Sequence, residues 1–298
     1  MGTPSMGHAA RVGIAAAGAN AATRELDFLS CDVGKRGNLI VSPGIRGSRS
    51  YFDEQAVMGT YGVDGTLNLD CRPDDLAVIL PYCLGANANG TSFALASTVQ
   101  EMLLTVDKVA EVYSYDEIKV NRARFSGGPN QTLKLTLELA GKTESAANAG
   151  TFPDLASTLS AIRPYVFHQG VLTLGTNTTY EFTNFELVID NALILDRYNN
   201  SQTRTEIPES DRIITLTCDT PFTSSELALY DLSITGLAGS LVFTNGNYSL
   251  TFTLNNLKQP AQGPGVPAKQ QEIIQRLQLQ AFGSSGNDEL VVTNDSTG

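Results

Sequence analysis

The chain has 298 residues, enough for one large domain or two ordinary ones, and carries a formal net charge of −11 with only 17% charged residues. That charge repels nucleic acid rather than holding it, which excludes a specific nucleic-acid reader. No run approaches the roughly eighteen apolar residues of a membrane-spanning helix, so no membrane partner is expected.

The first 23 residues read as a flexible, small-residue arm, because the Ala-rich run after Arg11 lacks the Leu or Phe of a secretory signal. Short strands are expected near 26–31 and 38–41. A polar, Gly-rich arm follows at 42–63, carrying Arg46, Arg49, Tyr51 and Phe52. Leu67, Leu69 and Cys71 then alternate with Thr66, Asn68 and Asp70, the period of a half-buried strand. Residues 73–84 read as a helix, with Pro73 in its first turn, Asp74 and Asp75 at the positive end of its dipole and Gly85 at its end. Pro81 threatens the last turn. Strands at 92–96 and 102–106 come next. After them a hairpin joins 119–125 to 132–139 through Ser126-Gly-Gly-Pro-Asn130.

Residues 149–164 read as a linker between a first β domain at 24–148 and a second at 165–298. The second half repeats the order of the first with an offset of about 150 residues. Strands at 166–174 and 179–190 lead into a second arm, 192–211, with Arg197, Tyr198, Arg204 and Glu206. A strand at 212–219 follows, with Thr215 and Thr217 on its polar face and Cys218 matched to Cys71. A helix at 224–232 opens on the capping box Thr223-Ser-Ser-Glu226. Residues 272–282 and 289–293 are expected to form a closing hairpin matching that at 119–139. A Pro/Gly-dense stretch, 259–269, reads as a surface turn.

Candidate chemistry is sparse. His8 and His168 have no nucleophile beside them, and the acidic groups match no cation-binding spacing. The four cysteines form no metal-binding pair and read as free thiols, three of them buried. No enzyme activity, cofactor or metal is expected. Arms of about twenty residues are uncommon in a compact domain and usually functional. Their arginines and aromatics suit contacts with another subunit. A secreted two-domain β-sandwich binding module, adhesin- or lectin-like, is the alternative. Six Asn-x-Ser/Thr triplets would then be glycan sites.

Phe182-Thr-Asn-Phe-Glu-Leu-Val-Ile-Asp-Asn191, the following arm, the Arg-Ile-Ile-Thr-Leu-Thr strand and the terminal Glu-Leu-Val-Val-Thr-Asn resemble the tail tube proteins of long-tailed, siphovirus-like bacteriophages. With Val63-Asp-Gly-Thr-Leu-Asn-Leu and the Pro73–Gly85 helix, the resemblance is to the duplicated variety and covers residues 24–293. It implies a mainly β chain of two tandem sandwich-like barrel domains, each with one flanking helix and a long arm. It implies a structural virion protein of the tail, made and assembled in the host cytoplasm. Its rings stack into the conduit for genome ejection, with three two-domain copies giving a pseudo-hexameric ring. The partners implied are the chain itself, the tail tip, terminator and tape measure proteins, and double-stranded DNA that passes without specific binding. The inter-subunit role falls on Arg46, Arg49, Tyr51 and Phe52, and on Arg197, Tyr198, Arg204 and Glu206. Thr66, Asn68, Asp70, Thr215 and Thr217 are expected to face the lumen.

Overall fold

The computed structural model describes residues 5–146, 152–175, 178–224, 229, 235–261, 263–284 and 286–297. The first half contains β1 (Arg11–Ala16), β2 (Arg24–Leu26), β3 (Phe28–Cys31), β4 (Gly34–Val41), β5 (Ala56–Asp70), α1 (Pro73–Leu84), β6 (Ser92–Phe93), β7 (Met102–Asp107), β8 (Val112–Gly127), β9 (Lys134–Gly141) and β10 (Ser145–Ala146). The second contains β11 (Gly170–Leu174), β12 (Thr178–Tyr180), β13 (Asn184–Asp190), β14 (Ile213–Pro221), β15 (Leu237–Asn245), β16 (Tyr248–Lys258), β17 (Ile274–Ala281) and β18 (Leu290–Asp295). The fold is mainly β and antiparallel, as expected.

The helix begins and ends where its signals place it. Pro73 sits in the first turn, and Gly85 closes the last in the left-handed region at φ 92°. Helical structure continues through Pro81 to Leu84. Asp74 and Asp75 do more than face the dipole: Arg24 bridges both, at 3.0 and 2.6 Å. The helix expected at 224–232 lies almost wholly outside the described residues.

The N-terminal residues differ from expectation. Residues 11–16 form β1, which pairs with β2 and β7 and buries Val12 and Ile14. Its small residues mark close packing rather than mobility. A Cβ on Gly13 would come within 2.7 Å of Ala22 and 2.9 Å of Phe152.

The repeat is real, and the ladders define it better than the sequence pattern. β1, pairing with β2 and β7, matches β11, pairing with β12 and β15. β5 pairs with β9 as β14 pairs with β17, and β8 pairs with β10 as β16 pairs with β18. The hairpin at 119–139 therefore corresponds to β16–β17, with 259–273 lengthening the connection. The expected closing hairpin does not form. The chain does turn at Ser284–Asn287, but β18 then joins β16 and β6. Turn chemistry sets where a chain reverses, not which strand it meets.

The two halves share one sheet and one core. β8 pairs antiparallel with β13 from Phe185↔Gly127 to Asp190↔Arg122. β6 of the first half adds to β18 of the second. Phe125 and Phe252, both fully buried, meet edge to face across the halves at 4.9 Å. The buried Asn294 amide donates to Pro73 O at 2.8 Å, and that of Asn191 donates to Cys83 O and Val120 O. Truncating Phe125 leaves a cavity lined from both halves, at an expected cost of about 3–5 kcal/mol. Urea denaturation of Phe125→Ala, followed by circular dichroism and by hydrogen exchange of β15, should show both halves losing stability together. A β15 midpoint unchanged from wild type would contradict the shared core.

Candidate functional site

Six strands, in the order β5–β9–β8–β13–β14–β17, form a continuous antiparallel surface through the centre of the molecule. Opposed residues in such a ladder share a face. One face supplies Leu67, Leu69, Leu137, Ala123, Leu187, Leu216 and Leu279 to the core. The other is mostly polar, interrupted by Val188 on β13, Ile213 on β14 and Ile274 on β17. Thr66, Asn68 and Asp70 on β5 stand opposite Glu138, Thr136 and Lys134. Register carries the same face through Arg122 and Arg124, then Glu186 and Asp190, to Thr215 and Thr217 on β14. The five residues singled out in the sequence for this role thus lie on one surface, although they come from strands four ladders apart.

Hydrogen bonds and ion pairs knit this face together. Thr136 donates to Asn68 Oδ1 at 2.6 Å, and Asn68 donates to Ser30 Oγ at 2.8 Å. The Thr66 backbone N–H donates to Asp32, and together with the Thr66 hydroxyl holds that carboxyl below its ordinary pKa. The arginines stand among carboxylates: Arg122 bonds Asp190 at 2.6 Å and approaches Glu138 at 3.5 Å, while Arg124 lies 3.7 Å from Glu186. These side chains are about a third exposed, so each pair adds little stability. Their effect is to neutralise Arg122 and Arg124.

The two arms take different forms. The first is a β-hairpin: β4 and β5 pair from Gly34↔Asp64 out to Val41↔Ala56. Beyond Val63 the second arm supports it as far as Gly59, so the strand pair projects free over residues 56–58, about 10 Å at roughly 3.3 Å per residue, with the tip beyond. The tip is ordered by Gln55, buried within it. Gln55 Nε2 donates to Ser42 O and Gly44 O, and its Oε1 accepts from Phe52 N–H at 2.8 Å. Around this tie, Ile45, Tyr51 and Phe52 are exposed, the first completely. Arg46 pairs with Glu54 at 3.1 Å, and Arg49 is exposed.

The second arm folds back on its own chain. Asn199 and Asn200 adopt φ of 45° and 63°, a reversal that Asn tolerates. Arg204, expected at a contact with another subunit, is 7% exposed and finds most of its partners in the first half. It forms a fork to Asp64, with both bonds at 2.8 Å, and donates to Val63 O, Gly141 O and Leu195 O. Gly62 makes the room, since a Cβ there would lie 2.6 Å from the guanidinium carbon. Tyr61 N–H donates to Gln202 O, and Leu193 and Ile207 bury against Val99 and Ala140. Arg197, Tyr198 and Glu206 remain partly or fully exposed on this arm. The sequence marks Arg204 as an arm residue but not its partners Asp64, Val63 and Gly141, which lie about 60 to 140 positions away with nothing local to mark them.

A sequence profile described as phage tail tube protein matches residues 7–281. The chain belongs to the phage tail tube protein family. No curated protein matches it. The tail tube protein is thus a structural component of the virion tail, and the secreted-module alternative gives way to it. No described helix is long and apolar enough to cross a membrane, and no described cluster of His, Cys, Asp and Glu could hold a metal ion. The four cysteines are free, and burial pushes Cys83 and Cys218 up to about 12, leaving inert thiols.

Two measurements test the docked arm of the tail tube protein. Arg204→Ala strips buried carbonyls and Asp64 of their donor, at a cost of about 2–4 kcal/mol, and should speed amide exchange at Tyr61. Exchange unchanged from wild type would show that Arg204 does not hold the arm. Glu209 gives the arm a pH dependence. Burial raises its pKa, but the bond from Lys119 at 2.9 Å and the Val99 N–H outweigh this, and the net shift is down. A lowered carboxylate stabilises above its unfolded value, and that stability is lost as pH falls through the folded value. Arm docking, read by exchange at Ile194, should weaken across that acidic window, and Glu209→Gln should flatten the dependence.

Proposed function

We propose that the chain is the repeating subunit of the tail tube, that three copies close into a ring with pseudo-sixfold symmetry, and that stacked rings form the conduit for genome ejection. One observation carries this reading: two copies of the same strand unit stand side by side in a single sheet that is open at both ends. At one end, β3 and β4 pair only with β5 among the described residues. At the other, β17 meets β16 only at Ala281 and Gln280, so among the described residues its edge over 274–279 has no strand neighbour like the one β8 gives β9, with the Gln278 N–H bonded to the Gln259 side chain. The junction of β8 with β13 is the template for closure, in which β3 and β4 of the next copy meet the β16–β17 edge. Ring closure removes edges that would otherwise template aggregation.

In this reading the polar sheet face lines the lumen, with Thr66, Asn68, Asp70, Thr215 and Thr217 on it. Neutral hydroxyls and amides dominate, Arg122 and Arg124 are already held by Glu138, Glu186 and Asp190, and the remaining cations, Lys134 and Arg276, stand opposite Asp70 and Asp219, so DNA phosphates meet no continuous cationic row. Double-stranded DNA then slides without specific binding. The projecting hairpin, with Arg46, Arg49, Tyr51 and Phe52, makes contacts between copies. Arg197, Tyr198 and Glu206 stand at its base to join them. Tail tip, terminator and tape measure proteins cap and fill the tube, and assembly takes place in the host cytoplasm.

Native mass spectrometry of rings should give three chains per ring. Hydrogen exchange of amides 34–41 and 274–279 should slow on assembly. Six-chain rings would sink the copy number, and edges that exchange equally fast in tubes and free chains would sink the closure.

A further inference from the structure

The geometry points to a socket for the hairpin tip: the aromatic groove of the second half, on a copy in the adjacent ring. This rests on the ring-and-tube reading above. β5, β8 and β14 run in one direction, because antiparallel steps separate them in pairs. The hairpin leaves from the Ala56 end of β5, and so projects from one rim of the sheet. The opposite rim carries the Gly127 end of β8 and the Asp219 end of β14. The groove lies at that rim. Phe167 stands 3.5 Å from the position of a Gly127 Cβ, and Thr183 N–H donates to Asp219 O. A knob on one rim and a socket on the other is the head-to-tail arrangement that gives an open, one-directional stack.

The groove, of about 390 Å³, is walled by Phe167, Val171, Tyr180 and Phe182, with Glu181 at its edge. Phe167 and Phe182 pack edge to face at 5.1 Å, and Val171 is 46% exposed. The tip offers matching chemistry in Ile45, Tyr51 and Phe52, with Arg49 to meet Glu181. Among the described residues neither Arg49 nor Glu181 has an ion-pair partner.

The first half has an equivalent groove, lined by His8, Asp27 and Leu29. The two grooves are built alike, each on a short 3-10 turn with a histidine at its centre, Gly7–Ala9 and Phe167–Gln169. Their chemistry differs. In the shared register Arg11 stands where the second half has Val171, and Gly7 where it has Phe167. Arg11 is paired with Glu25 at 2.6 Å, and Asp27 with Arg72 at 2.7 Å. Each chain thus has one apolar tip and one apolar socket. One-to-one matching makes rings stack in register with the threefold axis, not the pseudo-sixfold one.

The test uses full-length chains in a Cys31→Ser background, Tyr51→Cys mixed with Val171→Cys, assembled on tail tips under mild oxidation. A disulfide-linked pair is expected in tubes and not in the unassembled mixture, with none when Leu29→Cys replaces Val171→Cys. Reversing charge in Arg49→Glu or in Glu181→Arg should slow elongation by roughly tenfold without reducing ring formation, and the double variant should restore it. Tubes that link Tyr51→Cys to Leu29→Cys, or to neither, would overturn the socket while leaving the tube reading intact. Chains that form neither rings nor tubes with tail tips supplied would overturn both.

Discussion

The ladder between β8 and β13 is the constraint on which the rest of the structure depends. Its register, with Arg122 opposite Asp190 and Phe185 opposite Gly127, brings the second half of the chain into the sheet of the first. Antiparallel pairing preserves the alternation of faces, so a one-residue slip would turn every β13 side chain to the wrong side. Phe185, Leu187 and Ile189 would leave the core, and Glu186 and Asp190 would enter it. The penalty for burying those carboxylates unpaired locks the register. Once it is locked, the polar face is continuous, the core is common, and the two rims of the sheet have distinct identities.

The arms show how one position in a duplicated unit can serve two ends. In the first, Leu39-Ile-Val41 and Ala56-Val-Met58 favour extended pairing, and the hairpin runs out past the sheet with its apolar side chains uncovered. In the second, the paired asparagines reverse the chain and Arg204 pins it beneath Val63 and Gly141. The second arm therefore stiffens the base of the first: Gln202 bonds both Tyr61 N–H and Gly59 O. A projecting hairpin needs a rigid root, and here the other half of the chain supplies it.

Local chemistry was legible in the sequence. The α1 boundaries followed from Pro73 and Gly85, the β8–β9 turn from Ser126–Asn130, and the polar face from the alternation of β5 and β14. What could not be read was pairing at a distance. The terminal strand β18 looked like the partner of β17 because a turn lies between them, yet it joins β16. The small residues of β1 looked mobile because smallness also suits a tight fit against Ala22 and Phe152. The two histidines, alone of their kind in the chain, read locally only as candidate catalysts without a nucleophile. Their spacing was instead a marker of the repeat, since each sits in the equivalent turn before β1 or β11.

Fusing two copies of one unit in a single chain also has an arithmetic consequence. A closed ring built from separate units could miscount by one, since five or seven neighbours differ only slightly in angle from six. The proposed ring, built from this chain, can hold only an even number of units, because each chain carries two already joined through the β8–β13 ladder. The nearest errors then require a whole extra or missing pair, and the change in curvature is twice as large. In the proposed ring, the ladder that fixes the register of one molecule would also act as a parity check on the circle.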